Sequence, residues 1–208
     1  MKITKPLDNI LNTEVKTRIL RFLCITSAEW NGRQIAKEIG VTPKAAHMAL
    51  NTLNKEKVLL LRNMGKTHVY SLNEDNFLVS ELLKPLFLKE DNILNDIIKV
   101  IKRKISTSKA KGVILSVAIF GSISKREDHP SSDIDLAVIV KNTKAKTITE
   151  RLFEEIGLKI SEEFGNIISP YINTKAAFKA KYKKGPPVIK NILKSHTLVY
   201  GEMLEGLL

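Results

Sequence analysis

Two short motifs, one at each end of a polar segment, carry residue types that bind metal and phosphate. Gly121-Ser122 ends one apolar run, and Asp133-Ile134-Asp135 leads into the next. Residues two apart on an extended strand project to the same face, so Asp133 and Asp135 present adjacent carboxylates. Such a pair favours a bound cation, and Mg²⁺ takes hard oxygen ligands together with phosphates. At the other motif, Gly121 lets a phosphate approach the backbone and Ser122 offers a hydroxyl and an N–H.

The elements that must position these motifs are two buried strands. The runs Val113–Phe120 and Leu136–Val140 are short, apolar and rich in β-branched residues, which is typical of core strands. Lys125 and Arg126 lie in the loop between them and could reach a bound phosphate, although the motif does not fix their positions. The alternative is that the two aspartates only cap a turn where the loop enters the second strand.

The string AIFGSISKREDHPSSDIDLAVIV is similar to the Gly-Ser, spacer, Asp-x-Asp signature of the polymerase-β-like nucleotidyltransferase superfamily. The closing segment HTLVYGEML resembles the strand and Tyr-Gly turn that end many such domains, so the likeness covers roughly residues 95–208. The resemblance implies a mixed-sheet domain in which Gly121 and Ser122 bind a nucleoside triphosphate. It also implies that Asp133 and Asp135 are the catalytic carboxylates and hold one or two Mg²⁺ ions.

One feature of the family is missing. Active members usually supply a third carboxylate from a later strand, but the corresponding segment Asn166–Thr174 contains no Asp or Glu. Glu162 and Glu163 lie just upstream, at the end of the predicted helix Ile148–Phe164. Two hypotheses follow. The chain transfers a nucleoside monophosphate to a protein or nucleic-acid acceptor, or it is a transcriptional regulator whose nucleotidyltransferase-like domain is catalytically inactive.

The amino-terminal third predicts three helices. Thr13 opens a first helix with one apolar face, and a short second helix ends at Gly40. Thr42 is suited to cap a third helix, since threonine is a favoured N-cap residue. Pro43 follows it and is tolerated at the first helical position, where its missing N–H is not needed.

In the third helix Ala46, Leu50 and Leu53 share the inward face. The outward positions are Lys44, Ala45, His47, Met48, Asn51 and Thr52. A hairpin is predicted next, made of the strand Val58–Arg62, the turn Asn63-Met64-Gly65-Lys66 and the strand Thr67–Leu72.

Residues 10–74 therefore resemble the winged helix-turn-helix family in pattern and order, although Lys57 stands where a glycine commonly ends the third helix. The resemblance implies that the third helix enters the major groove of double-stranded DNA and that the hairpin, or wing, lies along the backbone. The implied DNA contacts are Lys44, His47, Asn51, Arg62 and Lys66. The alternative is a module for protein docking or dimerisation.

Residues 76–105, between the predicted winged helix-turn-helix and the nucleotidyltransferase-like domain, are rich in apolar positions and mostly helical in pattern, and Pro85 interrupts them. So many apolar positions must pack on a neighbouring domain or on a second copy of the chain, and a homodimer is one expectation. The sequence thus predicts an α/β (α+β) protein. Its parts are a winged helix-turn-helix at 1–75, a helical linker at 76–105 and a nucleotidyltransferase-like domain at 106–208.

Composition sets further bounds. The 208 residues carry a formal net charge of +12, which favours a polyanionic partner. Cys24 is the only cysteine, so an internal disulfide is excluded, and its place on an apolar helix face predicts core packing.

Apolar runs fall short of the roughly 20 residues that a membrane span requires. The first ten residues do not resemble a secretory signal, so we expect a cytoplasmic protein without membrane partners.

Overall fold

The computed structural model describes residues 3–125, 129 and 132–208. The chain forms two compact units, Met1–Ile93 and Leu94–Leu208. Each unit combines helices with a sheet of its own, which confirms the predicted α+β class. Within the described residues, no helix has both the length and the apolar character needed to cross a membrane.

The amino-terminal unit is built from helices and a small sheet. Its elements are α1 (Leu7–Ile10), α2 (Glu14–Thr26), β1 (Trp30–Asn31), α3 (Gly32–Glu38), α4 (Pro43–Lys55), β2 (Leu59–Met64), β3 (Thr67–Leu72), a π-helical turn (Val79–Leu83) and α5 (Lys84–Asp91). The sheet is antiparallel, in the order β1-β3-β2. This order of helices and hairpin is that of a winged helix-turn-helix.

Two helices of this unit, α2 and α4, begin at the positions that the sequence predicts, and each has a side-chain cap. Thr13 accepts a hydrogen bond from the backbone N–H of Lys16, and Thr42 accepts one from that of Ala45. Both predicted starts are confirmed.

The glycine missing after α4 is replaced by Lys57, which itself adopts a positive φ of 61°. Its carbonyl is held there by Asn73 and Asn76, whose side-chain amides both donate to it.

The hairpin has a tighter turn than the sequence predicts. Met64 pairs with Thr67, so only Gly65 and Lys66 lie in the loop, with Gly65 at φ 58°. A two-residue loop with positive φ at its first position matches the right-handed twist of paired strands. β2 therefore extends two residues beyond the predicted Arg62.

The core of this unit lies between α2, α4 and the sheet, and it includes Leu23, Leu50 and Leu53. Cys24 is fully buried in it, which confirms the predicted packing role. Leu83 and Phe87, from the segment that the sequence predicts to be a linker, belong to the same core. That segment is thus divided, because its first half is apolar enough to complete the amino-terminal core.

The carboxy-terminal unit is a helix-covered mixed sheet. After α6 (Ile93–Thr107), whose first residue lies at the division between units, come β4 (Ile114–Phe120), α7 (Gly121–Lys125), β5 (Ile134–Val140), α8 (Thr143–Phe164), β6 (Ile168–Thr174), α9 (Lys175–Lys184), α10 (Pro187–Lys194), β7 (Thr197–Gly201) and a 3₁₀ turn (Leu204–Leu207). The strand order is β6-β5-β4-β7, with β5 and β6 parallel and the other pairs antiparallel.

Both faces of this sheet are covered. One core contains residues of α6 and α8, including Ile101 and Phe153, and the other contains Phe178 of α9 and Ile192 of α10. β4 and β5 are central and buried on both sides, which explains why the sequence shows near-continuous apolar runs there. β6 is an edge strand and so tolerates Pro170, which has no backbone N–H to donate.

Candidate functional site

The end of β4 and the beginning of β5 meet at one contact between Gly121 and Asp135. Phe120 and Asp135 are paired across the two strands, and the chain turns into α7 at Gly121 with φ 78°. A Cβ placed on Gly121 would lie 2.2 Å from the Asp135 Oδ2. Glycine is therefore required for two reasons, the backbone conformation and the space that the carboxylate occupies.

Asp133 lies beside this contact, just before β5. Ile134 between the two aspartates is buried in the core, so the predicted alternation is confirmed. Asp133 is exposed and Asp135 is partly buried. Ser169, which pairs with Asp135 in the parallel register of β5 and β6, donates a hydrogen bond of 3.0 Å from its Oγ to Asp133 Oδ2.

The environment of Asp135 affects its protonation. Burial raises the pKa of Asp135 above its ordinary value, and the negative charge of Asp133 raises this pKa further. A cation bound between the two carboxylates would lower the pKa of Asp135. The charge of this pair is therefore compatible with a bound cation.

The donor set suits Mg²⁺. Within the described residues, no group of three or more His, Cys, Asp or Glu side chains could hold a metal ion. Asp133 and Asp135 would therefore supply two carboxylates, and phosphates and water would supply the other oxygen ligands. Mg²⁺ is commonly bound in this way, through one or two carboxylates together with substrate phosphates.

On the phosphate side, Ser122 is the second residue of α7 and is partly buried. Lys125 is the last residue of α7 and is exposed, whereas Arg126 lies outside the described residues. Sequence reasoning missed Ser124, whose Oγ donates to the Gly121 carbonyl at 2.9 Å and also lies 3.2 Å from the Ser195 carbonyl. This hydroxyl ties the turn after β4 to the segment that leads into β7.

A cleft of about 470 Å³ opens beside Asp135 and Ser169. Asp135, Ser169 and Tyr171 line it, together with Val188 from α10. Gly121 lies against Asp135, and Asp133 is bonded to Ser169, so the structure brings Gly121 close to the Asp-x-Asp motif. Of these motif residues, Asp135 lines the cleft. Sequence reasoning missed Ser169 and Tyr171, because their place depends on the register between β5 and β6.

The strand expected to carry a third carboxylate carries hydroxyl and amide groups instead. The residues of β6 that pair with Asp135 and with every second residue after it are Ser169, Tyr171 and Asn173. Glu162 and Glu163 are exposed in the last turn of α8, where Glu163 pairs with Lys159 at 2.5 Å. No described carboxylate on β6 therefore joins Asp133 and Asp135.

The residues implied in DNA contact lie on the amino-terminal unit, and several lie together. His47 and Lys66 line a cavity of about 490 Å³ between α3, α4 and the hairpin, and Arg33 and His68, which sequence reasoning missed, line it too. Asn51 lies next to it, with its amide nitrogen 3.0 Å from His47 Nε2.

The other two residues implied in DNA contact, Lys44 and Arg62, do not line this cavity. Lys44 is exposed in the first turn of α4. Arg62 forms an ion pair with Glu29, so its charge already has a partner within the unit.

Comparison with known proteins assigns a family to the carboxy-terminal part of the chain. The family described as polymerase beta, nucleotidyltransferase, matches residues 95–203, which is 109 of the 208 residues. The chain belongs to this nucleotidyltransferase family. No match was found among curated proteins.

Solved structures are similar only at a low level. A spectinomycin adenyltransferase from Enterococcus faecialis, with ATP and spectinomycin, is 19% identical with a TM-score of 0.41, over 55% of this chain and 59% of its own. A homodimeric winged helix-turn-helix DNA-binding domain from Mycobacterium bovis is 20% identical with a TM-score of 0.35, over 43% and 79%. A toxin-antitoxin complex with AMP-PNP is 20% identical with a TM-score of 0.33, over 53% and 75%. At these levels the matches carry no functional information about this chain.

Proposed function

We propose that the carboxy-terminal unit binds a nucleoside triphosphate with Mg²⁺ and transfers the nucleoside monophosphate to an acceptor hydroxyl. The contact between Asp135 and Gly121 is the observation that carries this proposal. In this contact the carboxylate that we propose to bind Mg²⁺ lies directly against the turn that would hold the triphosphate.

Each residue has a distinct role in this proposal. Gly121 and Ser122 hold the phosphates, with Lys125 and Arg126 near enough in the chain to add positive charge. Asp133 and Asp135 hold Mg²⁺, which when bound neutralises phosphate charge and supports in-line displacement. Ser169 orients Asp133 through its hydrogen bond.

The test is incubation of the full chain with Mg²⁺ and each α-labelled nucleoside triphosphate, followed by measurement of pyrophosphate and of label in macromolecules. We expect transfer that is lost when Asp133 and Asp135 are both replaced by Ala. Glu202→Gln is the matched control, because this exposed carboxylate lies near Leu115, at the opposite end of β4 from Gly121. Equal transfer by the double variant and by the control would contradict the proposal.

The second candidate is a regulator whose nucleotidyltransferase-like unit no longer catalyses transfer. The pairing of Ser169, rather than a carboxylate, with Asp135 favours it, because β6, which the structure describes in full, then supplies no base to activate the acceptor. Nucleotide binding without turnover in the same experiment would support this candidate.

We also propose that the amino-terminal unit binds double-stranded DNA, as a regulator would. The cationic and imidazole side chains around the cavity between α4 and the hairpin, among them Arg33, His47 and Lys66, support this. Replacement of Lys44, His47 and Lys66 by Ala is expected to weaken binding to a random duplex library and to reduce its salt dependence. Lys55→Ala, an exposed charge at the far end of α4, should change binding little.

Homodimer formation stays a prediction from the apolar helices of residues 76–105. Sedimentation equilibrium of the full chain over a range of concentrations would check it, and a monomer mass throughout would contradict it.

A further inference from the structure

The outer edge of β6 borders a second cavity, of about 520 Å³, which α8 and α9 also line. The residues of β6 that line it come from both faces of the strand: Ile168, Pro170, Tyr171, Ile172 and Asn173. Neighbouring residues of a strand project to opposite faces, so a space that touches both sets lies against the strand edge itself. Among the strands that the structure describes, β6 pairs only with β5, and the edge at this cavity is the unpaired one.

The register of β5 and β6 determines which main-chain groups face the cavity. Ile134 lies opposite Ile168 and donates its backbone N–H to the Ile167 carbonyl at 2.8 Å. Main-chain groups of alternate residues face the same neighbouring strand, so the odd-numbered residues of β6 face β5. The groups of Ile168, Pro170 and Ile172 therefore face outward, and the structure gives them no hydrogen-bond partner within its described residues.

These outward groups require a ligand that both donates and accepts. They are the N–H groups of Ile168 and Ile172 and the carbonyls of Ile168, Pro170 and Ile172, and they repeat roughly every 6.6 Å, or every second residue. A phosphodiester backbone has no donor for the carbonyls. An extended polypeptide carries N–H and C=O groups at this same spacing, and it binds other sheet edges by adding a strand.

A second copy of this chain fits the edge less well than a separate peptide. Paired strands lie roughly 4.8 Å apart, and a second copy would bring its own α8 and α9 into the space beside the first pair. In an antiparallel pairing centred on residue 170, the two Pro170 carbonyls would also face each other with no N–H between them. A single extended chain meets neither obstacle.

On the α9 face of the edge, one cation is available to the ligand. Lys181 Nζ donates to Tyr171 Oη at 2.8 Å and to Asn173 Oδ1 at 2.7 Å. The ammonium has three N–H groups, so a third remains for an acceptor on the ligand. An acidic side chain on this face of an added strand would form a charge-assisted hydrogen bond with it.

The α8 face of the edge has the opposite character. Ile168 and Ile172 contribute to the apolar core beneath α8. Glu150 and Glu154 line the cavity on this side, and Lys146 pairs with Glu150 at 3.7 Å. Acidic side chains are therefore disfavoured on this face of an added strand, whereas apolar ones fit against the two isoleucines.

We propose that the free edge of β6 binds an extended segment of a partner protein as a fifth strand of the sheet. Acidic and apolar residues alternate in this segment, with the acidic ones toward Lys181 and the apolar ones toward Ile168 and Ile172. This docking function goes beyond the proposed transfer reaction and does not depend on it.

The test titrates a short fluorescent peptide, in which glutamate and valine alternate, with the full chain and follows anisotropy without Mg²⁺ or triphosphate. A control peptide has the same composition with all its glutamates in one block, so it has equal charge without the alternation. The alternating peptide is expected to bind about tenfold more tightly, a difference of the order of one charge-assisted hydrogen bond. Equal affinity would overturn the proposal, because it would reflect only attraction to a chain of net charge +12.

Two N-methylated forms of the alternating peptide test main-chain pairing. In an added strand, the N–H groups of one residue type face β6 and those of the other face solvent. Methylation of the valine nitrogens should abolish antiparallel binding, and methylation of the glutamate nitrogens should abolish parallel binding. Loss with one form and retention with the other is the expected result, whereas equal affinity of the two forms would contradict strand addition.

Two variants of the chain alter the edge itself. Pro170→Ala supplies the missing outward N–H and should tighten binding about fivefold, the contribution of one neutral hydrogen bond. Ile172→Pro removes an outward N–H that β5 does not use, and should weaken binding by a similar factor. Partial unfolding does not produce the gain expected for Pro170→Ala, so the pair distinguishes edge pairing from a damaged fold.

A second pair of variants tests the charge. Lys181→Met should weaken binding of the alternating peptide about tenfold, since it removes a charge-assisted hydrogen bond. Lys102→Met removes an equal charge from an exposed position on α6 and should bind as the parent does.

Unchanged affinity in both Pro170→Ala and Ile172→Pro would overturn the proposal. Self-association of the full chain that Ile172→Pro abolishes, without peptide binding, would overturn it too, because the occupant would then be a second copy. Peptide binding by a chain that transfers no nucleotide supports this inference and refutes only the transfer reaction. Transfer by a chain that binds no peptide refutes only this inference.

Discussion

The Asp135 carboxylate occupies the space that the Cβ of any other residue at position 121 would need. Gly121→Ala must therefore move Asp135 away from the turn, and the positive φ alone costs about 1–2 kcal/mol. We expect a lower free energy of unfolding and loss of triphosphate binding, measured by denaturant unfolding and by calorimetry. Gly112→Ala is the control, because a Cβ there meets no atom within 4 Å. Equal triphosphate affinity of the two variants would show that the contact is unimportant for binding.

Asp135→Asn should stabilise the metal-free protein at neutral pH. Burial and the charge of Asp133 both raise the pKa of Asp135, so the folded state favours its protonated form. This contribution to stability is complete below the unfolded pKa and is lost as pH rises through the higher folded pKa. The Asn variant should thus melt at a higher temperature than the parent at pH 7, and this difference should shrink as the solution becomes acidic. An Asn variant that melts below the parent at pH 7 would contradict the assignment.

Ser169→Asp should introduce a third carboxylate opposite Asp135. Without metal, three close negative charges repel one another, so we expect a lower melting temperature than for the parent. With Mn²⁺ or Mg²⁺ we expect tighter metal binding, measured by calorimetry, and faster transfer if an absent base limits turnover. Ser169→Ala, which only removes the hydrogen bond to Asp133, should show neither gain. Unchanged metal affinity in the Asp variant would place Ser169 outside the metal site.

Lys57→Gly should stabilise the amino-terminal unit by about 1 kcal/mol, because a lysine at φ 61° bears a strain that glycine does not. The carbonyl that accepts from Asn73 and Asn76 is retained in the variant. Met48→Gly, at an exposed position inside α4, should instead cost about 1 kcal/mol. Urea unfolding of both variants checks the opposite signs, and destabilisation by Lys57→Gly would contradict the prediction.

Local patterns predicted much of the fold. The helix start at Thr13, the cap at Thr42 and the buried strands that flank the Gly-Ser and Asp-x-Asp motifs depend only on neighbouring residues, and they were found where expected. The division of the chain at Ile93 was not foreseen, because it depends on which core the apolar residues of α5 and α6 complete.

What the sequence did not reveal arises from contacts between distant segments. Ser169 reaches Asp133 only because β6 runs parallel to β5 in one register, and Lys181 reaches Asn173 only because α9 folds back over that strand. The ion pair between Arg62 and Glu29 likewise joins the hairpin to the loop before β1, and the spacing of charged residues gives no sign of it.

The most direct test of the central claim is calorimetric titration of the full chain with each nucleoside triphosphate, with and without Mg²⁺, beside the Asp133→Asn/Asp135→Asn variant. Binding that requires Mg²⁺ and is lost in the variant is the predicted result. Failure to bind any triphosphate, or equal binding by the variant, would contradict the assignment of this cleft as a nucleotide site.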